Sequence, residues 1–216
     1  DGEVYEGAVF ISDVHPGQTC KLVKQSERMK NAYRHRMAGL PNTFGMFTVS
    51  LRMKPRALEY FNYNRYVYAH PGVWTFYEEE EPVSGVMACR VPEDGSRFTS
   101  QVDLLTPMPW ERCMPWSNTK VGGRGEDYEA MKRCMADECI RLAERVVPGL
   151  RGWVAECYAS TPLTYRDYIG APEGTAYGLR KDYRNPLAAL LSVRTPVPNL
   201  FLTGQNLMLH GVYGVT

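Results

Sequence analysis

The chain has 216 residues, of which 44% are hydrophobic and 23% charged, and its formal net charge is +1. This composition is typical of a globular protein, and the length suffices for one large domain or two small ones. Because the charge is near zero and no long basic run occurs, we expect no nucleic-acid partner. No stretch of the sequence approaches the roughly 20 apolar residues of a membrane-spanning helix.

The cysteines and histidines show no pattern of a metal site or a hydrolytic site. No Cys-x-x-Cys pair occurs, no histidine lies at ligand spacing from a cysteine, and Gly-x-Ser-x-Gly is absent. We therefore expect no metal, and we interpret the cysteines as buried free thiols of a reducing compartment, which predicts a cytoplasmic protein. The six cysteines are Cys20, Cys89, Cys113, Cys134, Cys139 and Cys157.

The first forty residues predict a strand followed by helices. Residues 4–12 favour a strand, most strongly over Ala8 to Ile11. Asp13 and Pro16 then predict a helix start, because proline is tolerated at the first helical position. Residues 25–38 predict a second helix, whose apolar stripe forms either core or the lining of a lipid pocket. The stripe consists of Met29, Tyr33 and Met37.

The middle of the chain predicts an antiparallel sheet of at least four strands. Residues 47–54 alternate apolar and polar side chains without a break, as a half-buried strand does. Further strands are predicted at 66–69, 85–91 and 98–106. The last two are joined by Pro92 to Gly95, a sequence suited to a tight turn.

A predicted loop rich in Pro, Met and Trp extends from Leu105 to Trp116. It either packs on the sheet or contacts a lipid pocket or membrane surface, so peripheral membrane contact is one alternative. Residues 126–147 then form the clearest predicted helix, ended by Pro148 and Gly149. A strand at 153–158 and a short helix starting at Pro162 follow.

The last segment predicts a buried strand that leads into a glycine-rich turn. The apolar run Leu200 to Leu202 is preceded by a Pro-x-Pro-Asn turn and ended by Gly204. Glycine lets the backbone approach a ligand closely, and the N–H groups of a following helix bind electron-rich oxygens. The spacing of Gly204, Gly211 and Gly214 is thus compatible with a nucleotide or flavin site. The alternative is an ordinary strand, a loop and the start of a helix.

These C-terminal motifs carry a family resemblance. The segment from Tyr158 to Thr216 resembles the C-terminal end of the FAD-dependent phytoene desaturase, carotenoid isomerase and retinol saturase family. Ala8 to Asp13 with Pro16 resembles the point where such chains leave the FAD domain. The matching motifs, in order, are Ser160–Thr164, Tyr168, Gly174–Gly178, Thr195–Asn206 and His210–Val215.

The resemblance implies a flavin cofactor and an apolar substrate. Members move a hydride between FAD and a long polyene or isoprenoid-like chain, and the protein mainly positions the substrate. Gln205 and Asn206 either bond to the cofactor or cap the turn, and no catalytic acid or base is identified. The residues expected to bind FAD are Gly204, Gln205, Asn206, His210, Gly211, Val212 and Gly214.

We expect an α+β fold in which an antiparallel-sheet substrate domain is joined to the C-terminal strand and turn of an FAD domain. The division is 1–24 for a return segment of the FAD domain, 25–158 for the substrate domain and 159–216 for the C-terminal FAD segment. The dinucleotide-binding G-x-G-x-x-G is absent, since Gly122 to Gly125 has the wrong spacing and no strand before it. We therefore expect a C-terminal part of a larger flavoprotein, inactive by itself.

Two other functions fit the same sequence. An amine oxidase-like or porphyrinogen oxidase-like flavoprotein would have the same architecture. A non-catalytic hydrophobic-ligand or interaction module would explain the missing dinucleotide-binding half. The sequence does not define the oligomeric state, the substrate or the direction of the redox reaction.

Overall fold

The computed structural model describes residues 2–72, 74–76, 82–186 and 190–211. Its chain divides into a sheet unit, residues 44–168, and a terminal unit, residues 1–43 with 169–216. The fold is mixed, with several helices and an antiparallel five-stranded sheet. The domain division predicted at residues 24 and 158 concerns a larger protein and stays a prediction.

The sheet unit is built around the strand with the clearest alternation. The strands are β2 (Gly45–Met53), β3 (Arg65–Tyr68), β4 (Ser84–Cys89), β5 (Gln101–Met108) and β6 (Val154–Ser160). In β2, Phe47, Val49 and Leu51 are fully buried, as predicted, while the residues between them are half-buried. Strand β2 pairs antiparallel with β5 on one side and β6 on the other. The strand order is β3-β4-β5-β2-β6.

One long helix contributes to the core over this sheet. Helix α3 (Glu126–Ala143) buries Tyr128, Met135 and Leu142, and the predicted helix is confirmed. It ends four residues earlier than predicted, and Gly149 adopts a left-handed conformation before the one-turn helix α4 (Leu150–Trp153). Helix α5 (Pro162–Ile169) follows β6, and the Thr161 hydroxyl caps it by accepting from the N–H of Leu163 at 3.2 Å.

The loop predicted from Leu105 to Trp116 is wrong. Strand β5 continues to Met108, and a 3₁₀ helix occupies Trp110–Trp116. Pro107 lies beyond the residues that β4 pairs with, near the end of the strand, where proline is tolerated. Cys113 is buried in the core, and Trp110 and Trp116 pack against that core. Of the two alternatives for this segment, the structure thus shows the one in which it packs on the sheet unit.

The Gly122–Gly125 loop places an arginine against α5. Gly122 and Gly125 have φ of 79° and 86°, a left-handed region that favours glycine. The intervening Arg124 forms an ion pair with Asp167, and its guanidinium lies 5.0 Å from the ring centroid of Tyr128. Since the Arg124 side chain is only 7% exposed, the glycines serve a buried structural arginine.

The described residues of the terminal unit include two short parallel strands and two α-helices. Strand β1 (Phe10–Ser12), shorter than predicted, pairs with β7 (Leu200–Leu202), which begins and ends where the sequence predicted. The helices are α1 (Pro16–Leu22) and α2 (Asn31–Ala38). A separate core includes Met29, Met37 and Leu202, so the predicted stripe is core.

The helix predicted at 25–38 is confirmed only from Asn31 onward. The Arg34 side chain donates to the carbonyls of Val23 at 2.7 Å and Met29 at 3.2 Å. A continuous helix over residues 25–38 would have paired the Met29 carbonyl internally, and here the Arg34 side chain satisfies it instead. The burial of Met29 therefore arises from an irregular segment and not from helical periodicity.

All six cysteines lie among the described residues and are free thiols. Cys20, Cys113 and Cys139 are buried, and Cys89 is half-buried. Cys134 and Cys157 are exposed, so the prediction of buried thiols is wrong for these two.

Candidate functional site

The parallel strands β1 and β7 end side by side. Ser12 is paired with Leu202, and the N–H of Thr203 donates to the Ser12 carbonyl at 3.0 Å. Ligands of open α/β sheets bind outside the carboxyl ends of parallel strands, where the following loops diverge. The residues that follow β1 and β7 therefore define the candidate site.

Gly204 lies where these strand ends are most crowded. Its φ is +89°, and a Cβ built on it would lie 1.8 Å from Oδ1 of Asp13. Any larger residue would clash with the side chain of Asp13, which follows β1, and would be strained in this conformation. The turn closes when the N–H of Leu207 donates to the Gly204 carbonyl at 3.2 Å.

The side chains of Gln205 and Asn206 bond to the segment at 176–179. Nε2 of Gln205 donates to the carbonyl of Ala176 at 3.3 Å. Oδ1 of the buried Asn206 accepts from the N–H of Leu179 at 3.1 Å. Gly178 has φ of +73°, and an added Cβ would lie 2.1 Å from Asn206 Oδ1. Asn206 thus fits closely against Gly178, while its predicted cofactor contact stays a prediction.

His210 and Gly211 complete the described part of the turn. The Nε2–H of His210 donates to the Leu179 carbonyl at 2.9 Å, and its ring stacks on Tyr177 at a centroid distance of 5.9 Å. Gly211 is exposed, with φ of +66°. Val212 and Gly214, two of the predicted cofactor contacts, lie outside the described residues.

Sequence reasoning missed Lys181. Its Nζ donates to the backbone carbonyls of Asn206 at 2.6 Å and Leu207 at 2.7 Å. Partial burial lowers the pKa of this amine to about 8. No periodicity or motif marks the residue, because its partners are carbonyls about twenty-five positions away.

His15 connects the end of β1 to the rest of the terminal unit. Its Nδ1 caps α1 by accepting from the N–H of Gly17 at 3.1 Å, and its Nε2–H donates to Oδ1 of Asn42 at 2.9 Å. Asn42 in turn donates to Glu173 at 3.1 Å. Burial lowers the pKa of His15, although Asn42 and Glu173 oppose the shift. The ring is therefore held in the neutral form.

A pH dependence of stability follows from this histidine. Its pKa is lower in the folded than in the unfolded chain, so the unfolded state binds the proton first as the pH falls below about 6.5. We expect the urea midpoint of the wild type to fall below that pH. In His15→Asn, which retains a capping side chain, this component should be absent. Parallel midpoint curves for the two proteins between pH 8 and pH 5 would contradict the assignment.

Tyr165, Tyr168 and Tyr177, which lie near the motifs of the family resemblance, have ordinary structural environments. The hydroxyl of Tyr165 bonds to Thr48 at 2.7 Å, and Tyr177 stacks on His210. Tyr168 is 71% exposed. None of these contacts indicates a catalytic role.

The described residues of the sheet unit line a small apolar cavity and a larger, partly charged groove. The cavity between α3 and strands β3–β5 measures about 10 Å³, room for roughly one water molecule. A groove of 590 Å³ between α3 and β6 is larger, but charged side chains line much of it. Those side chains are Glu129, Lys132, Arg133 and Asp137.

The second face of the sheet is a mixed surface. Register places Leu105 beside Val86 and Thr48, and Tyr66 beside Val86, on the face opposite the buried side chains of β2. Leu105, Val86 and Thr48 are half-buried, and Tyr66 is 63% exposed. Leu105 and Val86 form an apolar part of this face, next to the polar side chains of Ser50 and Asp103, which bond to each other at 2.7 Å.

Metal binding and membrane crossing receive no support from the described residues. In the described ranges, no group of three or more His, Cys, Asp or Glu side chains is arranged to hold a metal ion. Among the helices of those ranges, none is both long and apolar enough to cross a membrane.

The sequence is similar to that of known proteins over part of its length. No family model matches it. All-trans-retinol 13,14-reductase from Macaca fascicularis is 34% identical over 125 residues, which are 56% of this chain and 20% of that protein. The protein of that name from Danio rerio is 35% identical over 120 residues, 53% of this chain and 19% of the relative. An inactive all-trans-retinol 13,14-reductase from Danio rerio is 30% identical over 131 residues, 57% and 21% of the two chains.

The matched stretch thus spans about a fifth of the length of these curated relatives. It also covers more than half of this chain, at an identity that independent short motifs would not produce. The resemblance drawn from the C-terminal motifs is thereby confirmed: the chain is similar to all-trans-retinol 13,14-reductases, the retinol saturases.

Proposed function

We propose that this chain is part of an FAD-dependent oxidoreductase that moves a hydride to or from a retinoid or a similar long apolar polyene. The observation that carries the proposal is the 34% identity to all-trans-retinol 13,14-reductases over 125 residues. The parallel strand ends support a cofactor site, because ligands of α/β sheets bind outside the carboxyl ends of parallel strands.

The described residues are compatible with a flavin along the turn from Gly204 to Gly211. At Gly211, an added Cβ would meet no described atom within 4 Å. Backbone N–H groups around Gly211 would hold the electron-rich edge of the ring, and Gly204 would let the chain pass the cofactor closely. When bound, the flavin supplies the hydride chemistry, which explains why no acid–base pair of this chain is required.

The second face of the sheet is our candidate for contact with the substrate. Leu105 and Val86 would pack against the hydrocarbon chain and exclude water from it, while Tyr66 would contribute an aromatic surface. Apolar contact of this kind orients a polyene without polar recognition, since the molecule offers few hydrogen-bonding groups. We further propose that the protein works in a reducing compartment, cytoplasmic and in peripheral contact with membranes, where such a substrate dissolves.

The reaction itself can be tested with one product analysis. The protein expressed from its complete reading frame is incubated with all-trans-retinol and a reductant, and the retinoids are separated and weighed by mass spectrometry. We expect a product that carries two additional hydrogen atoms. Recovery of unchanged retinol, together with turnover of an amine or a porphyrinogen, would favour the other flavoprotein classes.

A non-catalytic member of the same group is the second candidate. It is favoured by the similarity to an inactive all-trans-retinol 13,14-reductase, at 30% identity over 131 residues. Such a protein would bind a hydrophobic ligand without converting it. Binding of retinol, detected by its fluorescence, without flavin and without any product would support this alternative.

A further inference from the structure

The turn after β7 is held by a lysine that no cofactor motif includes. Lys181 donates to two successive backbone carbonyls, those of Asn206 and Leu207, at 2.6 Å and 2.7 Å. Both acceptor residues are only 5% exposed. A buried carbonyl that loses its donor incurs a desolvation penalty, so removal of this amine would destabilise the turn in its present conformation.

The contact of Lys181 belongs to a set of bonds between two segments. Leu179 uses its N–H for Asn206 and its carbonyl for His210. Gln205 reaches the carbonyl of Ala176. Residues 176–181 thus lie along residues 204–210, and Lys181 closes one end of this arrangement.

Because peptide groups are planar, the bonds of Lys181 to two carbonyls also fix the directions of the N–H groups in the same peptides. In a trans peptide, the carbonyl of one residue and the N–H of the next point in opposite directions in one plane. No cis peptide bond occurs in the described chain. By holding the carbonyls of Asn206 and Leu207, Lys181 fixes the directions of the N–H groups of Leu207 and Met208. The N–H of Leu207 donates to the Gly204 carbonyl and closes the turn. Because the peptide is planar and trans, the N–H of Met208 points away from Lys181.

We infer that Lys181 is a positioning residue of the cofactor site, which holds the turn at residues 204–207 so that the N–H of Met208 is directed toward an electron-rich oxygen of a bound flavin. This inference rests on the proposed function for its ligand, but not for the local effect on the turn. Lys181 acts through the carbonyls of Asn206 and Leu207 and needs no contact with the flavin itself.

The test uses Lys181→Met in the protein expressed from its complete reading frame, with Arg180→Met as the matched control. Arg180 is the adjacent exposed cation, so its loss changes the charge equally without touching the turn. Amide hydrogen exchange is followed in peptides that cover residues 204–211, and FAD affinity is measured from the quenching of flavin fluorescence. For Lys181→Met we expect exchange in that segment to accelerate, and FAD to bind about tenfold more weakly.

Further variants separate positioning from general stability. Lys181→Arg retains N–H donors and should restore most of the FAD affinity and of the exchange protection. Should Lys181→Met fail to fold, Lys181→Gln, whose amide is too short to reach both carbonyls, replaces it with the same expectations. Unchanged exchange over residues 204–211 would overturn the inference, as would faster exchange with unaltered FAD affinity. If the wild type takes up no FAD, the proposed function fails, while the exchange measurement still decides whether Lys181 holds the turn.

Discussion

Gly204→Ala is expected to destabilise the terminal unit by about 3 kcal/mol and to weaken the binding of flavin at the proposed cofactor site. A left-handed conformation costs a non-glycine residue roughly 1–2 kcal/mol. The added methyl group would also lie 1.8 Å from Oδ1 of Asp13, so either the strand ends or Asp13 must move. Urea unfolding gives the stability, and the flavin content of the purified protein gives the effect on the site.

Gly211→Ala is the control for this substitution. Gly211 shares the positive φ, at +66°, but an added methyl group there meets no described atom within 4 Å. Its cost should therefore be limited to the conformational part, about 1 kcal/mol. Equal destabilisation by the two variants would show that crowding at the strand ends does not matter.

The second large effect is expected in the sheet unit, for Arg124→Met. This arginine is 7% exposed and pairs with Asp167, whose side chain is 20% exposed. It also contacts the ring of Tyr128, and the hydroxyl of that tyrosine bonds to Thr161 at 2.9 Å. Removal of one partner of a buried ion pair costs about 3–5 kcal/mol. Because Asp167 retains Arg166 at 2.7 Å, we expect about 3 kcal/mol, measured by urea unfolding.

Arg133→Met provides the comparison on the same helix. Arg133 pairs with Glu126, but both side chains are mostly exposed, at 65% and 78%. Exposed pairs contribute little, so its loss should change the free energy of unfolding by less than about 0.5 kcal/mol. A loss of similar size in both variants would contradict the importance of burial for Arg124.

The elements that the sequence predicted well are those with a strong periodic pattern. Strand β2 alternates without interruption, and α3 has both a regular apolar stripe and a Pro-Gly stop. Strand β7 is bounded by turn residues on both sides. In each case the secondary structure that the local sequence favours is also the one that tertiary packing stabilises.

The predictions failed where distant side chains replace backbone partners. Arg34 satisfies the carbonyls before α2, which lets residues 25–30 remain irregular despite their helical spacing. Pro107 and Pro109 make the end of β5 resemble a loop, although Pro107 is accommodated within the strand, near its end. Lys181 is invisible in the sequence for the same reason, because its role depends on the three-dimensional position of two carbonyls.

The candidate site was predicted in part. The glycine-rich turn after β7 could be identified from its motifs, and the structure brings Gly204, Gln205, Asn206 and His210 together beside residues 176–181. Sequence alone did not assign Asn206 its partner Leu179, since that bond joins segments separated by about 27 positions. The predicted cofactor contacts themselves stay predictions.

A visible absorption spectrum shows directly whether the protein is a flavoprotein, as we propose. The protein expressed from its complete reading frame is purified, and its spectrum is recorded before and after denaturation. We predict flavin bands that shift when the protein is denatured, as expected for FAD bound noncovalently by the folded chain. A colourless protein that also fails to take up added FAD would contradict the proposed FAD-dependent oxidoreductase and favour the non-catalytic hydrophobic-ligand module.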